Sequence, residues 1–280
     1  MPELPEVETV CRDLNQVLPG QQIRSVLILR PQTVAYPDPG GFVRGLVGRR
    51  FCLWRRRGKY LLASLDDGSC LGVHLRMTGQ LLWLVADEPL SAHTRLRWLC
   101  EGGECRFVDQ RTFGQVWWVP GGQQPEQVIS GLGSLGPEPF DPQFSPAYLQ
   151  KRLQGSRRPI KSALLDQTLV AGIGNIYADE SLFLSGIHPL TPALHLSLGE
   201  LETLHRVIGE VLRAGIRERG TTFSNYRDLQ GVNGNYQGQA WVYDRAGDPC
   251  RVCGTGIVRI KIGGRSAHFC PTCQAQRDRV

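Results

Sequence analysis

Apolar residues at helical spacing mark the first element of the chain. They recur three or four residues apart from Val7 to Val17, and Gly20 follows them as a stop signal. This periodicity predicts a helix over residues 5–18. Two prolines and three glutamates lie within the first eight residues, where they suit the positive end of such a helix.

Beyond residue 20 the pattern changes to short runs that are rich in β-branched, leucine and aromatic residues. Turn signals such as Asp67-Gly68 and Gly102-Gly103 separate the runs. The runs cover residues 21–30, 51–57, 60–65, 70–75, 79–84, 94–100 and 105–108. They predict an antiparallel sandwich or barrel in an N-terminal domain of residues 1–120.

The pattern becomes helical in the second half of the chain. Residues 121–142 are rich in glycine and proline and suit a linker between domains. Ser197 and Glu200 form a capping box ahead of an amphipathic run, and Ser145 is placed to cap an earlier helix. Between them, LVAGIGNIYADESLFLSGIHP predicts two short helical pieces around a glycine turn. We therefore expect an α+β protein, with an N-terminal β-sandwich and flanking helix followed by a helical domain over residues 143–243.

Composition argues against a membrane span and a signal peptide. The 280 residues are 41% hydrophobic, no run of about 18 apolar residues occurs, and the N-terminus is acidic. We expect a cytoplasmic monomer with no membrane partner. The net charge of +6 and the pI near 8.9 favour a polyanionic partner, although an ordinary solvated surface would carry the same charge.

Cysteines near the C-terminus give the strongest local signal. The stretch CRVCGTGIVRIKIGGRSAHFCPTC contains two C-x2-C pairs separated by sixteen residues. Four thiolates can enclose one tetrahedral ion, which predicts one structural Zn²⁺ in a finger over residues 244–280, and two disulfides are the alternative. A hairpin is expected between the pairs, with Gly263-Gly264 at its turn and Arg265 just beyond. The four ligands would be Cys250, Cys253, Cys270 and Cys273.

Two further stretches could carry chemistry, and each also has an ordinary structural explanation. Asn175 follows a glycine turn at the start of a helix, where free N–H groups can bind phosphate, or it can simply cap that helix. Removal of Met1 would leave Pro2 with a secondary amine that can form an iminium with a sugar C1′, with Glu3 as the adjacent proton donor and acceptor. Alternatively, the prolines only preset the entry into the first helix.

Five separated stretches, in order along the chain, resemble one family. They are PELPEVET at 2–9, RRGKYLL at 56–62, HLRMTG at 74–79, GIGNIYADESLF at 172–183 and the terminal four-cysteine finger. In these stretches the chain is similar to the bacterial formamidopyrimidine-DNA glycosylases, also called 8-oxoguanine DNA glycosylases, of the helix-two-turn-helix family. The opening octapeptide resembles the branch that acts on purine lesions more than the branch that acts on oxidised pyrimidines.

The resemblance implies a bifunctional DNA glycosylase and AP lyase of base excision repair. Such an enzyme removes 8-oxoguanine and formamidopyrimidines from duplex DNA and cleaves the abasic strand by β,δ-elimination. Pro2 would be the nucleophile and would form the Schiff base, Glu3 would donate the proton, and Glu6 would order the lesion pocket.

The same resemblance implies a set of phosphate contacts. Lys59 would reach a phosphate next to the lesion, and Arg265, at the tip of the finger, would also donate a proton in the δ-elimination. The further contacts are His74, Asn175 and, at the mouth of the active site, Lys161.

A base that leaves the duplex opens a gap, which a wedge of apolar and planar side chains must fill. The family uses a trio that corresponds to Met77, Arg111 and Phe113, with the arginine facing the orphaned cytosine. The alternative is that Met77 and Phe113 belong to the core and Arg111 to the surface. This chain reads DQRTFG where many members read DPRRFG, so the contribution of Thr112 to opposite-base contacts stays open.

Residues 220–243 lie where the family folds a mobile cover over the flipped purine. The candidates for lesion contacts there are Thr221, Thr222, Ser224 and Tyr243. Two rival functions remain at this point: a related enzyme that prefers oxidised pyrimidines, and a zinc-finger DNA-binding protein without catalysis.

Overall fold

The computed structural model describes residues 1–86, 88–221 and 228–276. Along the chain they form two compact units. The first unit contains Met1–Ser134 and Glu218–Asn235, and the second contains Leu135–Arg217 and the chain from Tyr236 onwards. Strands dominate the first unit and helices the second, which confirms the expected α+β class. The predicted domain limits at residues 120, 142 and 243 stay predictions.

The first helix, α1 (Leu4–Val17), forms where the apolar periodicity predicts it. Its apolar stripe faces the core of the first unit because the residues recur every three or four positions. Gly20 has φ +83°, a left-handed conformation that favours glycine and suits the turn after the helix. The stripe residues Val7, Val10 and Leu14 are all 1% exposed or less.

Two sheets pack as a sandwich in the first unit, as expected. The four-stranded sheet has the order β1 (Ile23–Ile28), β7 (Thr94–Cys100), β8 (Glu104–Asp109), β6 (Gly79–Leu84). The five-stranded sheet has the order β2 (Val34–Tyr36), β9 (Gln115–Val119), β5 (Cys70–His74), β4 (Tyr60–Leu65), β3 (Phe51–Arg57). All neighbouring strands are antiparallel except β2 and β9, which are parallel.

The core of this unit lies between the two sheets. In β7, buried positions alternate with partly buried ones along the whole strand, as a sheet with one covered face requires. Trp98 and Phe107 from one sheet belong to the same buried cluster as Leu61 and Leu71 from the other. Burying each such side chain contributes about 1.5–3 kcal/mol, so this cluster holds the sandwich together.

The strands β2 and β9 and the helix α2 (Pro39–Leu46) of the first unit were not predicted. Two glycines in the first turn of α2 weaken its helical signal. The helix forms because the Asp38 side chain accepts a hydrogen bond from the Gly41 N–H at 3.0 Å and because Phe42 and Leu46 are fully buried. Tertiary burial therefore outweighs local propensity here.

The second unit contains the predicted helices and the finger. Ser145 caps its first helix and Ser197 exchanges hydrogen bonds with Glu200, both as predicted. The helices are α5 (Pro146–Leu153), α6 (Ile160–Leu164), α7 (Asn175–Leu184) and α8 (Leu198–Arg217), and the finger strands are β10 (Val258–Ile262) and β11 (Arg265–Phe269). Two short helices of the first unit, α3 (Pro125–Val128) and α4 (Ser130–Gly133), lie in the segment predicted as a linker.

One helical prediction was wrong. Two helical pieces were expected around the glycine turn of residues 169–189, but only α7 forms there, and the residues before the turn form turns and bends. The Gln167 side chain explains the difference because it donates to the Ile173 carbonyl at 2.8 Å and accepts from the Gly172 N–H at 2.9 Å. These bonds replace the backbone bonds of a helix.

None of the helices in the described residues combines the length and the apolar character needed to span a lipid bilayer.

Candidate active site, DNA interface and zinc centre

The amino terminus places a proline and two carboxylates together at the start of α1. Pro2 is buried, and Glu3 and Glu6 are 2% and 1% exposed. Glu3 lies just before the helix in an extended conformation, and its backbone N–H donates to Glu6 Oε2 at 2.8 Å. With Met1 attached, the Pro2 nitrogen is part of an amide, so it becomes an amine only when Met1 is removed. An amine at this position would lie in a confined, acidic environment.

Glu6 connects α1 to the start of the predicted cover loop. Its Oε1 accepts the Thr221 N–H at 2.9 Å while Oε2 is held by Glu3. Gly220 has φ +86°, and a Cβ there would lie 2.7 Å from Glu6 Cγ, so only glycine fits. Of the predicted lesion contacts in this stretch, Thr221 is buried beside Glu6, and Thr222 and Ser224 lie outside the described residues.

Lys59 and His74 lie at one end of the five-stranded sheet. Lys59 is in the two-residue turn between β3 and β4, and Tyr60, which follows it, is the register partner of His74. Burial lowers the pKa of His74 to about 3, so the ring is neutral at physiological pH. His74 Nδ1 accepts the Arg76 N–H at 3.0 Å, which leaves the ring proton on Nε2. His74 can therefore offer a phosphate a neutral N–H donor.

The predicted wedge residues lie on two loops of the first unit. Phe113 is 51% exposed, and the Arg111 guanidinium carbon lies 5.0 Å from the centre of its ring. Met77 is half-buried on the other loop. The alternative that Phe113 is a core residue is wrong, because an aromatic ring this exposed contributes little to a core. A cation and a ring stacked at the surface suit contact with bases.

In the second unit, Asn175 and the finger lie side by side. Asn175 is the first residue of α7, and its Nδ2 donates to Ser266 Oγ at 3.2 Å. The finger turn is Gly263-Gly264, as predicted, with φ +54° and +81°, and the exposed Arg265 follows it. Positive φ at both turn residues matches the tight hairpin turn that favours glycine. This bond places the amide of Asn175 next to Ser266, the residue that follows Arg265 at the finger tip.

Lys161 occupies a different environment from the one expected. Its side chain is 0% exposed, its Nζ lies 2.5 Å from Asp179 Oδ1, and it donates to the Ser266 carbonyl. Asp179 Oδ2 also accepts the His268 N–H at 2.9 Å. The expected position at an open mouth is therefore corrected: Asp179 supplies a buried counter-charge, and the lysine fixes β11 to α7. A buried lysine without such a partner would be unstable.

The four predicted zinc ligands converge. Their Sγ atoms all lie within 4.8 Å of one another, with 3.9 Å between Cys250 and Cys273 and 3.4 Å between Cys253 and Cys270. Zinc–sulfur bonds of about 2.3 Å in a tetrahedron require sulfur–sulfur distances of about 3.8 Å. The alternative of two disulfides is wrong, since all four cysteines are free and a disulfide would need about 2.05 Å. The chain holds one structural zinc.

Three family models match the chain. They are the formamidopyrimidine-DNA glycosylase N-terminal domain at residues 1–116, the formamidopyrimidine-DNA glycosylase H2TH domain at 135–226, and the zinc finger found in FPG and IleRS at 247–276. The chain belongs to the formamidopyrimidine-DNA glycosylase family. The resemblance stated from the sequence is confirmed, as is the helix-two-turn-helix domain with a four-cysteine finger.

Relatives in this family match along the whole chain. The formamidopyrimidine-DNA glycosylase of Trichormus variabilis is 56% identical over 276 residues, covering 98% of this chain and 100% of the relative. That of Gloeobacter violaceus is 55% identical over 283 residues, covering 100% of both.

Solved structures of a family member show the same fold with DNA. A Lactococcus lactis FPG mutant in complex with Fapy-dG-containing DNA has a TM-score of 0.92 at 36% identity, covering 98% of this chain and 100% of that one. The Lactococcus lactis Fpg with abasic-site DNA has a TM-score of 0.91 at the same identity and coverage.

Two anchoring groups of this glycosylase family member were missed from the sequence. Arg219 donates to Asp13 Oδ2 at 2.7 Å and to Asp228 Oδ2 at 2.8 Å, so one guanidinium ties α1 to both flanks of residues 222–227. Burial raises the pKa of Asp13 although Arg219 opposes the shift. No sequence signal pairs these residues, because Asp13 and Arg219 are more than 200 positions apart.

The second anchor holds Tyr243. Glu180, fully buried in α7, accepts backbone N–H groups of Trp241, Val242 and Tyr243 at 2.8, 3.0 and 2.9 Å. Burial raises the pKa of Glu180, and the three N–H donors counteract it. The Tyr243 ring packs edge-on against His268, with 4.9 Å between ring centres. These two contacts of Tyr243 lie within the second unit.

Proposed function

We propose that this chain is a bifunctional DNA glycosylase and AP lyase of base excision repair, which removes 8-oxoguanine and formamidopyrimidines from duplex DNA. The observation that carries the proposal is the buried Pro2 beside Glu3 and Glu6, in a chain of this family. The DNA complexes of the Lactococcus lactis protein support a DNA partner.

The chemistry starts when Met1 is removed and Pro2 becomes a secondary amine. An α-amino group has a pKa of about 7.7–8.0, so a usable fraction is unprotonated near neutral pH. The Pro2 nitrogen attacks C1′ of the flipped nucleotide as the bond from C1′ to the base breaks. The attacking amine gives up its proton and the departing base takes one up, so the base leaves neutral. Glu3 donates the proton that opens the sugar ring, which leaves an iminium between Pro2 and C1′.

The iminium drives strand cleavage. It acidifies the C2′ proton, whose removal breaks the bond from C3′ to its phosphate, and a second elimination releases the 5′ phosphate. Arg265 is proposed as proton donor in this second step. Hydrolysis of the iminium frees Pro2 and leaves a one-nucleoside gap with phosphate at both ends.

DNA binding uses side chains of both units. We propose phosphate contacts from Lys59 and His74 in the first unit and from Asn175 and Arg265 in the second. Lys161 supports these contacts indirectly, because it fixes β11 of the finger to α7. Met77, Arg111 and Phe113 fill the gap left by the flipped base, and Arg111 faces the orphaned cytosine. For the lesion itself we propose Glu6, Thr221, Thr222, Ser224 and Tyr243.

Borohydride trapping on a defined 8-oxoguanine duplex tests the mechanism. Protein that lacks Met1 should give a covalent adduct, because reduction fixes the iminium. Pro2→Gly and Glu3→Gln should lose most of it. Pro5→Ala, which changes the other proline at the helix start, is the matched control and should trap at the wild-type level. No adduct with the wild type, or an undiminished adduct for the combined Pro2→Gly and Glu3→Gln variant, would falsify the mechanism and favour a DNA-binding protein without catalysis.

A second substrate class has one supporting observation. The wild-type Lactococcus lactis FPG has been solved with oxidised-pyrimidine-containing DNA, at a TM-score of 0.90 and 36% identity. Incision of matched 8-oxoguanine and dihydrouracil duplexes decides the preference, and faster cleavage of dihydrouracil would overturn the purine assignment.

We further propose that the enzyme works as a cytoplasmic monomer. All proposed catalytic residues come from one chain, and a four-thiolate zinc site needs reducing conditions. Sedimentation of the free protein and of its DNA complex checks the stoichiometry, and a dimer in both would contradict it.

A further inference from the structure

The wedge side chains sit on two loops that meet at one place in the first unit. We call residues 75–78, between β5 and β6, the Met77 loop, and residues 110–114, between β8 and β9, the Arg111 loop. Asp109 ends β8 and is the register partner of Gly79, which begins β6. Both loops therefore leave the sandwich beside the same strand pair.

Asp109 binds both loops with one carboxylate. It is 1% exposed, and its Oδ2 accepts the Gly114 N–H at 2.7 Å. Its Oδ1 accepts the Arg111 N–H at 3.2 Å and the hydroxyl of Thr78. Thr78 Oγ1 also accepts the Arg111 N–H at 3.0 Å. The Thr78 hydroxyl thus joins the Met77 loop to the Arg111 loop, next to a wedge residue on each side.

Two hydrogen bonds of Arg76 support the same arrangement. The Arg76 guanidinium donates to Gln115 Oε1 at 2.9 Å, and the Arg76 N–H donates to His74 Nδ1 at 3.0 Å. Arg76 therefore binds the residues that border each loop, in addition to the Thr78 link.

The backbone of each loop is held in a conformation that it would not adopt alone. Arg76 has φ +54° and Thr112 has φ +59°, and the left-handed region is unfavourable for a non-glycine residue and most of all for β-branched threonine. Strained backbone persists only where surrounding contacts fix it, and it concentrates at functional sites. The bonds from Asp109, Thr78 and His74 are such contacts.

We propose that Thr78 and Asp109 are positioning residues that set the wedge before DNA arrives. They act through Met77, Arg111 and Phe113, which enter the base stack in one fixed arrangement and need no ordering at the moment of base flipping. The proposal rests on the proposed function, because it concerns the opening of a duplex around a lesion.

A single-stranded substrate separates positioning from general stability. An abasic site in single-stranded DNA requires no base stack to be opened, so the wedge contributes nothing to its cleavage. An 8-oxoguanine in a duplex requires the wedge, and the base opposite the lesion reports on the placement of Arg111. A residue that only stabilises the fold would affect both substrates alike.

The test compares Thr78→Val, which removes the hydroxyl at nearly constant volume, with Thr78→Ser, which keeps it. Glu104→Gln is the matched control. Glu104 is a buried carboxylate of β8, the strand that ends with Asp109, but it binds Arg97 and Arg106 and neither loop. Single-turnover release of 8-oxoguanine is measured opposite cytosine and opposite adenine, together with cleavage of the single-stranded abasic oligonucleotide and the melting temperature.

We expect Thr78→Val to release 8-oxoguanine from the duplex about tenfold more slowly or worse, as small displacements at a site commonly cause. Its preference for cytosine over adenine opposite the lesion should shrink, while cleavage of the single strand stays at the wild-type rate. Thr78→Ser should recover the duplex rate, and Glu104→Gln should keep the opposite-base preference. Asp109→Asn, which puts an N–H₂ group against N–H donors, should repeat the effect more strongly.

The inference would be overturned if Thr78→Val released 8-oxoguanine from the duplex at the wild-type rate and kept the wild-type opposite-base preference. It would also be overturned if the rates on the duplex and on the single strand fell by the same factor. If Thr78→Val does not fold, Thr78→Ala is measured in its place, since Thr78 is only half-buried. Failure of the proposed function looks different: the wild type itself would then give no trapped adduct and no released base.

Discussion

At the residue scale, His74 shows how a fold fixes one protonation state. Burial is the largest cause of its pKa of about 3, and the nearby cations Arg76 and Lys59 add to the shift. The bond from the Arg76 N–H to Nδ1 further requires an unprotonated nitrogen. The ring therefore stays neutral at physiological pH.

The neutral His74 predicts a stability that depends on pH. The folded-state pKa is below the usual value of about 6.5, so between about pH 6.5 and 3 the unfolded chain binds a proton that the folded chain does not. Stability should fall as the pH falls through that window, by at most about 1.4 kcal/mol per pH unit from this group. The free energy of unfolding, measured by denaturant at a series of pH values, should decrease less steeply with falling pH in His74→Gln than in the wild type. The glutamine side-chain oxygen can still accept the Arg76 N–H.

The exposed His93 provides the control for this experiment, and His93→Gln should keep the wild-type slope. If His74→Gln and the wild type lose stability in parallel between pH 6 and pH 4, the assigned protonation state is wrong.

At the element scale, the buried Lys161–Asp179 pair fixes the finger strand β11 to α7. Taking away the lysine leaves a buried carboxylate without its counter-charge. We expect Lys161→Met to cost about 3–5 kcal/mol of unfolding free energy, measured by denaturant unfolding of the zinc-loaded protein.

Lys151→Met is the matched control, because Lys151 is an exposed lysine on α5 of the same unit, and its change should be small. If Lys161→Met unfolds like the wild type and only loses DNA affinity, Lys161 is a phosphate contact after all.

The elements also show what local patterns can predict. Runs bounded by turn signals located β3, β4, β6 and β7, and the apolar stripe located α1, because alternation and helical periodicity report directly on which face is covered. The short helix α2 was missed because its glycines lower the helical propensity of the segment. The burial of Phe42 and Leu46, which stabilises the helix, arises only in the folded structure. A helical piece was wrongly expected before the glycine turn, where the Gln167 side chain takes over the backbone bonds.

At the scale of the whole molecule, arginine dominates the basic charge of the chain. The chain has only four lysines among 32 basic residues. Two of them, Lys59 and Lys261, fall in the stretches that resemble the family. Phosphate neutralisation releases counterions, so binding should depend steeply on salt.

This dependence gives a prediction for both units. Arg265→Ala and Lys59→Ala should each reduce the slope of log affinity against log salt concentration by about 1, measured by duplex titration between low and physiological salt. Arg206→Ala is the control, because this exposed arginine of α8 pairs with Glu210 within its own helix. An unchanged slope for Arg265→Ala would remove the finger tip from the phosphate contacts.

By itself the sequence determined the zinc quartet, the class of fold, the first helix and the family. Each of these depends on residues that are close together in the chain, or on short motifs, so local spacing is enough. The tertiary structure alone decided that Lys161 is buried against Asp179, that Arg219 joins Asp13 to Asp228, and that Asp109 and Thr78 join the Met77 loop to the Arg111 loop. Those pairings form only when distant segments of the chain pack together. Burial then favours charged groups that are paired with an opposite charge, and it keeps the His74 ring neutral.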